Sequence, residues 1–143
     1  MAVKFANNFS TTLSASVSST STTLDLTTVA GLADISATND WAPLTLFDGD
    51  GTLEIVHATN LSGSTVTVTR GAEEYTAKSW PAGTLVALRD TRLSLQQLRE
   101  DAEAYVNNRT VGTGDGLNGG GDLSQNRTLT VDNTVARDTD LQA

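Results

Sequence analysis

At 143 residues the chain is sized for one compact domain or a small domain with appendages, and its nine basic against seventeen acidic residues leave a net charge of −8, which argues against a phosphate backbone or an anionic membrane surface as partner. Aromatics make up only 5% of the residues and cysteine is absent, so an aromatic-walled enzyme pocket is disfavoured and disulfides or thiolate metal sites are excluded. Met1 to Ser10 has no basic region followed by an apolar run, so it does not read as a signal peptide, and no apolar stretch approaches the ~20 residues that span a bilayer.

From residue 1 to 89 the pattern is one of short alternating runs separated by Gly, Asp and Asn. Thr22 to Leu26 alternates, and Leu44-Thr45-Leu46-Phe47 precedes an Asp48-Gly49 pair that reads as a hairpin turn. Thr52 to Ala58 is the next strand. Leu61-Ser62-Gly63-Ser64 supplies turn chemistry before Thr65 to Thr69, in which Val66 and Val68 share one face. Thr84 to Leu88 is a further strand. Several short strands with closely spaced turns predict a mainly β fold, a small barrel or sandwich over 1–89.

Three polar features in this region invite chemistry. The run Asp48-Gly49-Asp50-Gly51-Thr52-Leu53-Glu54 offers hard oxygen ligands for calcium, but its spacing is too short for an EF-hand, and the turn reading is preferred. Asp48 and Glu54 could be drawn as paired carboxylates for glycoside cleavage, with only their proximity in sequence behind the idea. His57 is the single histidine. With no nucleophile singled out beside it, it reads as a strand residue rather than a general base. The chain is therefore expected to be no enzyme and to carry no metal or other cofactor.

Residues 90–109 change character. The segment has no Gly or Pro and many helix formers, with Asp90 or Thr91 available as N-cap. From Thr91, the residues Leu95, Leu98, Ala102 and Tyr105 follow at alternating spacings of four and three, a heptad seam of about two repeats. A helix this short must bury such a stripe somewhere. Packing on its own β-domain and a short coiled coil both satisfy it.

Residues 110–143 open with Gly112, Gly114, Gly116, Gly119, Gly120 and Gly121, which exclude a helix, and Thr128 to Val131 alternates briefly after a polar turn. Such a segment gains order by winding round identical partners, with burial between chains.

Two stretches carry a resemblance. Gly116 to Leu129, GLNGGGDLSQNRTL, is similar to the GLxGGGDLxxNRTL element of phage tail fibre shafts. Thr67 to Val86, TVTRGAEEYTAKSWPAGTLV, resembles the TVxRGxEGTxAxxWxAGxxV element of N-terminal domains in fibre and baseplate-associated phage proteins, departing from it at Glu74-Tyr75, where Gly-Thr is usual. Phe5 to Leu13 resembles the NNxxTTL start of the same proteins. The resemblance implies a structural virion protein made in the host cytoplasm, with a β-domain attached to tail or baseplate proteins, a short helix and the start of a homotrimeric shaft. It points to Leu95, Leu98, Ala102, Tyr105, Leu117, Leu123 and Leu129 as trimer contacts. Within the second element Arg70, Gly71 and Trp80 become core or docking residues, Trp80 as a core anchor, and Trp41 stays open between core and exposed docking. No nucleic acid and no membrane insertion are expected. A host-glycan-binding module is the competing reading, and it calls for exposed aromatics grouped with Asn and Asp. A polysaccharide depolymerase needs a longer, repetitive β-solenoid.

Overall fold

The computed structural model describes residues 2–35 and 39–135. The elements in chain order are β1 (Ala2–Val3), β2 (Ser10–Thr12), β3 (Thr23–Asp25), β4 (Asp40–Phe47), β5 (Leu53–Ser62), β6 (Thr65–Ala72), β7 (Leu85–Leu88), α1 (Arg92–Asn107), β8 (Thr110–Val111), β9 (Leu117–Asn118), β10 (Gly121–Asp122) and β11 (Thr130–Val131). They divide into two units, with the division between Leu98 and Arg99, inside the helix rather than at either of its ends.

In the first unit one antiparallel sheet runs in the order β2-β7-β4-β5-β6-β3, and β1 adds in parallel at the start of β4. The sheet curls into a half-barrel. Its outer strands are drawn together by a bridge between Leu13 and Leu26, flanked by hydrogen bonds from Ser14 N to Asp25 O (2.8 Å) and Thr27 N to Thr12 O (2.9 Å). A single curled sheet is therefore the outcome, and the two-layer sandwich is not. The alternation read from the sequence explains the curl's lining. Leu44, Leu46, Val56, Val66 and Val86 point inward and are fully buried, joined by Leu13, Leu24, Leu26 and Ile35. The expected Leu61–Ser64 turn narrows to Gly63-Ser64, because β5 runs on to Ser62 and pairs it with Thr65.

Between the pairs Ile55–Ala72 and His57–Thr69, β5 advances two residues and β6 three, so Arg70-Gly71 holds a β-bulge. Gly71 has φ +58°, and a Cβ there would sit 2.9 Å from Tyr75 O and 3.0 Å from Ala77 N. Only glycine lets the strand fold back this closely on the loop that follows. Helix α1 starts at a reciprocal cap. Ser94 N donates to Thr91 Oγ1 (3.2 Å) and Thr91 N donates to Ser94 Oγ (2.8 Å). Thr91, not Asp90, is thus the N-cap.

The second unit holds the rest of the helix and two ladders of two residues each, β8 with β10 and β9 with β11, both antiparallel and within the chain. The expected Thr128 to Val131 run is a strand only over Thr130–Val131. Among its described residues, Gly116 alone is buried.

Candidate functional site: two carboxylate junctions and an exposed apolar stripe

Glu54 shares its strand face with Val56 and Ala58, so the alternation aims a carboxylate into the half-barrel. It is fully buried. Arg70, two residues beyond Val68 on β6, also points inward and meets it as a fork, Nε to Oε1 and Nη2 to Oε2, each 2.8 Å. Gly71 N (3.0 Å) donates to Oε1; Lys78 N (3.0 Å) and the Trp80 indole Nε1 (2.8 Å) donate to Oε2. The guanidinium spends its remaining donors on the carbonyls of Ser18, Ser21 and Lys78. Burial raises the Glu54 pKa, and the hydrogen bonds from Arg70, Trp80, Lys78 and Gly71 reverse this and hold it at about 2. One ion pair thereby ties β5, β6 and the segments around residues 18–21 and 78–80.

The second junction is Glu73, in the turn after β6. Tyr75 N donates to Ala72 O (3.1 Å) across Glu73 and Glu74, whose φ values are +55° and +74°. Both central residues are left-handed, as in a type I′ turn, which ordinarily takes Asn-Gly. Glu73 is held there by its side chain. Its Oε1 accepts from the Thr91 hydroxyl (2.5 Å) and lies 3.2 Å from His57 Nε2, while Oε2 accepts from Leu93 N (3.2 Å). The carboxylate thus occupies the helix N-terminus, where backbone N–H groups and the helix dipole favour negative charge. Burial raises its pKa, and Thr91, Leu93 and His57 more than reverse this, so it ends lowered. Replacing Glu73 with alanine should speed amide exchange at Leu93 to Leu95 and cost about 1–2 kcal/mol, read by hydrogen exchange and urea unfolding.

Glu74 has no such compensation, its side chain standing exposed 3.8 Å from the Arg92 guanidinium. Glu74→Gly should therefore raise stability by about 1 kcal/mol through relief of the left-handed backbone, visible as a higher midpoint in thermal unfolding. This is the position at which the chain departs from the glycine of the fibre motif.

The other residues singled out from the sequence fall as follows. Trp80 is 4% and Trp41 2% exposed, so both are core. Trp41 stacks at 4.2 Å on His57. His57 lies on β5, between Trp41 and Glu73. Arg70 and Gly71 belong to the buried Glu54 junction rather than to a docking face. Asp48 Oδ1 accepts from Asp50 N (2.9 Å) and Thr52 N (3.2 Å), the turn reading of that run. Asp48 is in an exposed loop and Glu54 is consumed inside the half-barrel, so the two make no catalytic pair. Among the described residues no group of three or more His, Asp and Glu side chains is placed to hold a metal, and no helix is long and apolar enough to cross a membrane.

The helix stripe is open. Leu95 is 54%, Leu98 50% and Tyr105 68% exposed, and Ala102 is exposed with them. Leu117, Leu123 and Leu129 are exposed as well. Within the first unit, Leu95 and Leu98 are thus only half covered rather than buried on its sheet. No protein-family model matches the chain, and no curated protein matches it.

Sequence reasoning passed over both junctions. The signal for the first was present: Glu54 has the parity of Val56 in an alternating strand, and an inward charge requires a partner of the kind Arg70 supplies. Nothing local announced Glu73 as a helix cap, since its partners lie about twenty residues downstream.

Proposed function

We propose that this chain is a tail-proximal part of a phage tail fibre, which anchors the fibre to the tail or baseplate through its β-domain and begins a homotrimeric shaft with its helix and Gly-rich segment. The observation that carries the reading is the distribution of apolar burial. Among the described residues, every buried apolar core residue lies at Leu88 or before. From Leu95 onward Leu95, Leu98, Tyr105, Val106, Leu117, Leu123, Leu129, Val131 and Val135 are all exposed. A segment that buries no apolar side chain cannot offset the entropy of ordering its own backbone. It needs surface from elsewhere, and the heptad spacing of Leu95, Leu98, Ala102 and Tyr105 fits identical helices. The two motif resemblances supply the fibre context.

Light scattering coupled to gel filtration tests this directly. A particle of three chains is expected, and a clean monomer at micromolar concentration sinks the trimer. Imaging of labelled particles tests the tail attachment, with the label expected where fibres join the tail. The host-glycan reading loses its two largest aromatics, because Trp41 and Trp80 are buried.

A further inference from the structure

The Glu73 side chain is 4% exposed, and it is held on a backbone that resists the position. Glu73 and Glu74 have φ +55° and +74°, a left-handed pair that strains any residue carrying a Cβ. The restraint that offsets this strain is the Glu73 carboxylate, and its partners all lie on other elements. Oε1 accepts from the Thr91 hydroxyl (2.5 Å) and faces His57 Nε2 on β5 (3.2 Å), while Oε2 accepts from Leu93 N (3.2 Å). One carboxylate thus closes three things at once: the turn after β6, β5 at His57, and the first turn of α1. That helical turn belongs to the same unit as the sheet, since the division falls after Leu98.

The two buried carboxylates are tied with unequal strength. Glu54 accepts the Arg70 fork and three further bonds from Gly71 N, Lys78 N and Trp80 Nε1. Glu73 accepts from Thr91 and Leu93 with His57 alongside. Its charged and titratable surroundings are mixed. Arg89 and Asp90 border the same cleft from the end of β7, Arg92 from α1, and Glu74 and Tyr75 from the turn itself. Arg92 is turned to Glu74 (3.8 Å) and Arg89 to the Phe47 ring (4.3 Å), so neither guanidinium is committed to Glu73. From β4 come Trp41, stacked on His57, and Thr45, both uncharged. Burial works against the Glu73 charge, and Thr91, Leu93 and His57 outweigh it, so its pKa is lowered, while that of Glu54 is held at about 2. The stabilisation from a lowered carboxylate is complete above the unfolded value of about 4.3 and is lost as pH falls through the folded one.

The geometry points to Glu73 as an acid-released latch: protonation of this carboxylate frees the first turn of α1 from the sheet while the half-barrel, pinned by Glu54 and Arg70, stays closed. A protonated carboxyl is a donor at one oxygen and a weaker acceptor at the other, so Thr91 and Leu93 lose their charge-assisted partner. The left-handed turn loses its restraint in the same event and relaxes, which couples the two. The helix keeps its own reciprocal cap between Thr91 and Ser94, and what it gives up is the tie to the β-domain. The latch lies within the first unit, so it operates whatever the number of chains that assemble.

The test follows amide exchange in the full chain from pH 6 to pH 3, expressed as protection over intrinsic exchange. Protection at Leu93 to Leu95 should fall about tenfold or more, with the same midpoint as chemical-shift changes at Glu73 to Tyr75. Val56, Val66 and Val86 should keep their protection through that midpoint. Glu73→Gln, which never carries the charge, should show the low helix protection already at pH 6 and no further step. Glu74→Gly relaxes the turn without touching the carboxylate, so it should move the midpoint down by about half a pH unit. Four results would each overturn the latch: helix and core amides released together, full helix protection at pH 3, a wild-type profile in Glu73→Gln, or a Glu74→Gly midpoint at or above the wild-type one.

Discussion

Replacing Arg70 with methionine is expected to lower the unfolding free energy by about 3–5 kcal/mol, the cost of stranding a buried charge. Glu54 keeps its N–H donors from Gly71, Lys78 and Trp80 in that variant but loses the cation paired with it. Urea unfolding followed by tryptophan fluorescence measures the effect as a lower midpoint at unchanged slope. A loss below 1 kcal/mol would mean the three N–H donors suffice. The double change Glu54→Leu with Arg70→Met should recover much of the loss, because removing both partners abolishes the desolvation burden along with the attraction. The same junction sets the acid limit. The folded pKa of Glu54 is depressed to about 2, so its stabilisation is fully present above the unfolded value near 4.3 and is lost as pH falls from there toward 2. That loss amounts to about 3 kcal/mol, so stability in the wild-type chain should fall over that window more steeply than in the double variant.

The second large effect concerns assembly. In the proposed trimer, Leu95→Asp with Leu98→Asp should reduce the mass seen by light scattering to one third, with the β-domain still folded. The two leucines are 54% and 50% exposed in the single chain, so burying the remainder contributes about 1 kcal/mol each. Six copies meet in a trimer, and a loss of about 6 kcal/mol weakens association more than ten-thousandfold. Six carboxylates at one seam add repulsion. An unchanged trimer would move the interface off the helix, to the Gly-rich segment and its exposed Leu117, Leu123 and Leu129.

Local pattern and three-dimensional contact each decided different parts of this molecule. The mainly β character, the strands at β4 to β7, the turn at Asp48 and the helix with its heptad stripe are all legible in the residues. Their causes are local: alternation that follows a two-residue pleat, Asp-Gly turn chemistry, and a Gly-free run of helix formers. The inward aim of Glu54 was legible too, as a charge on the apolar parity of β5. What tertiary structure alone decided is where the chain meets itself. The curl that brings Leu13 beside Leu26, the Arg70-Gly71 bulge that turns a guanidinium onto Glu54, and the reach of Glu73 to Thr91 all join residues from 13 to 18 positions apart. Periodicity is blind at that separation, because it reports which face a side chain takes and not which other face it will meet. The same limit left the helix stripe undecided between self-packing and assembly. The stripe's spacing came from the residues, and its exposure came from the fold, since among the described residues the buried apolar core ends at Leu88 and Leu95, Leu98 and Tyr105 beyond it are half or more exposed.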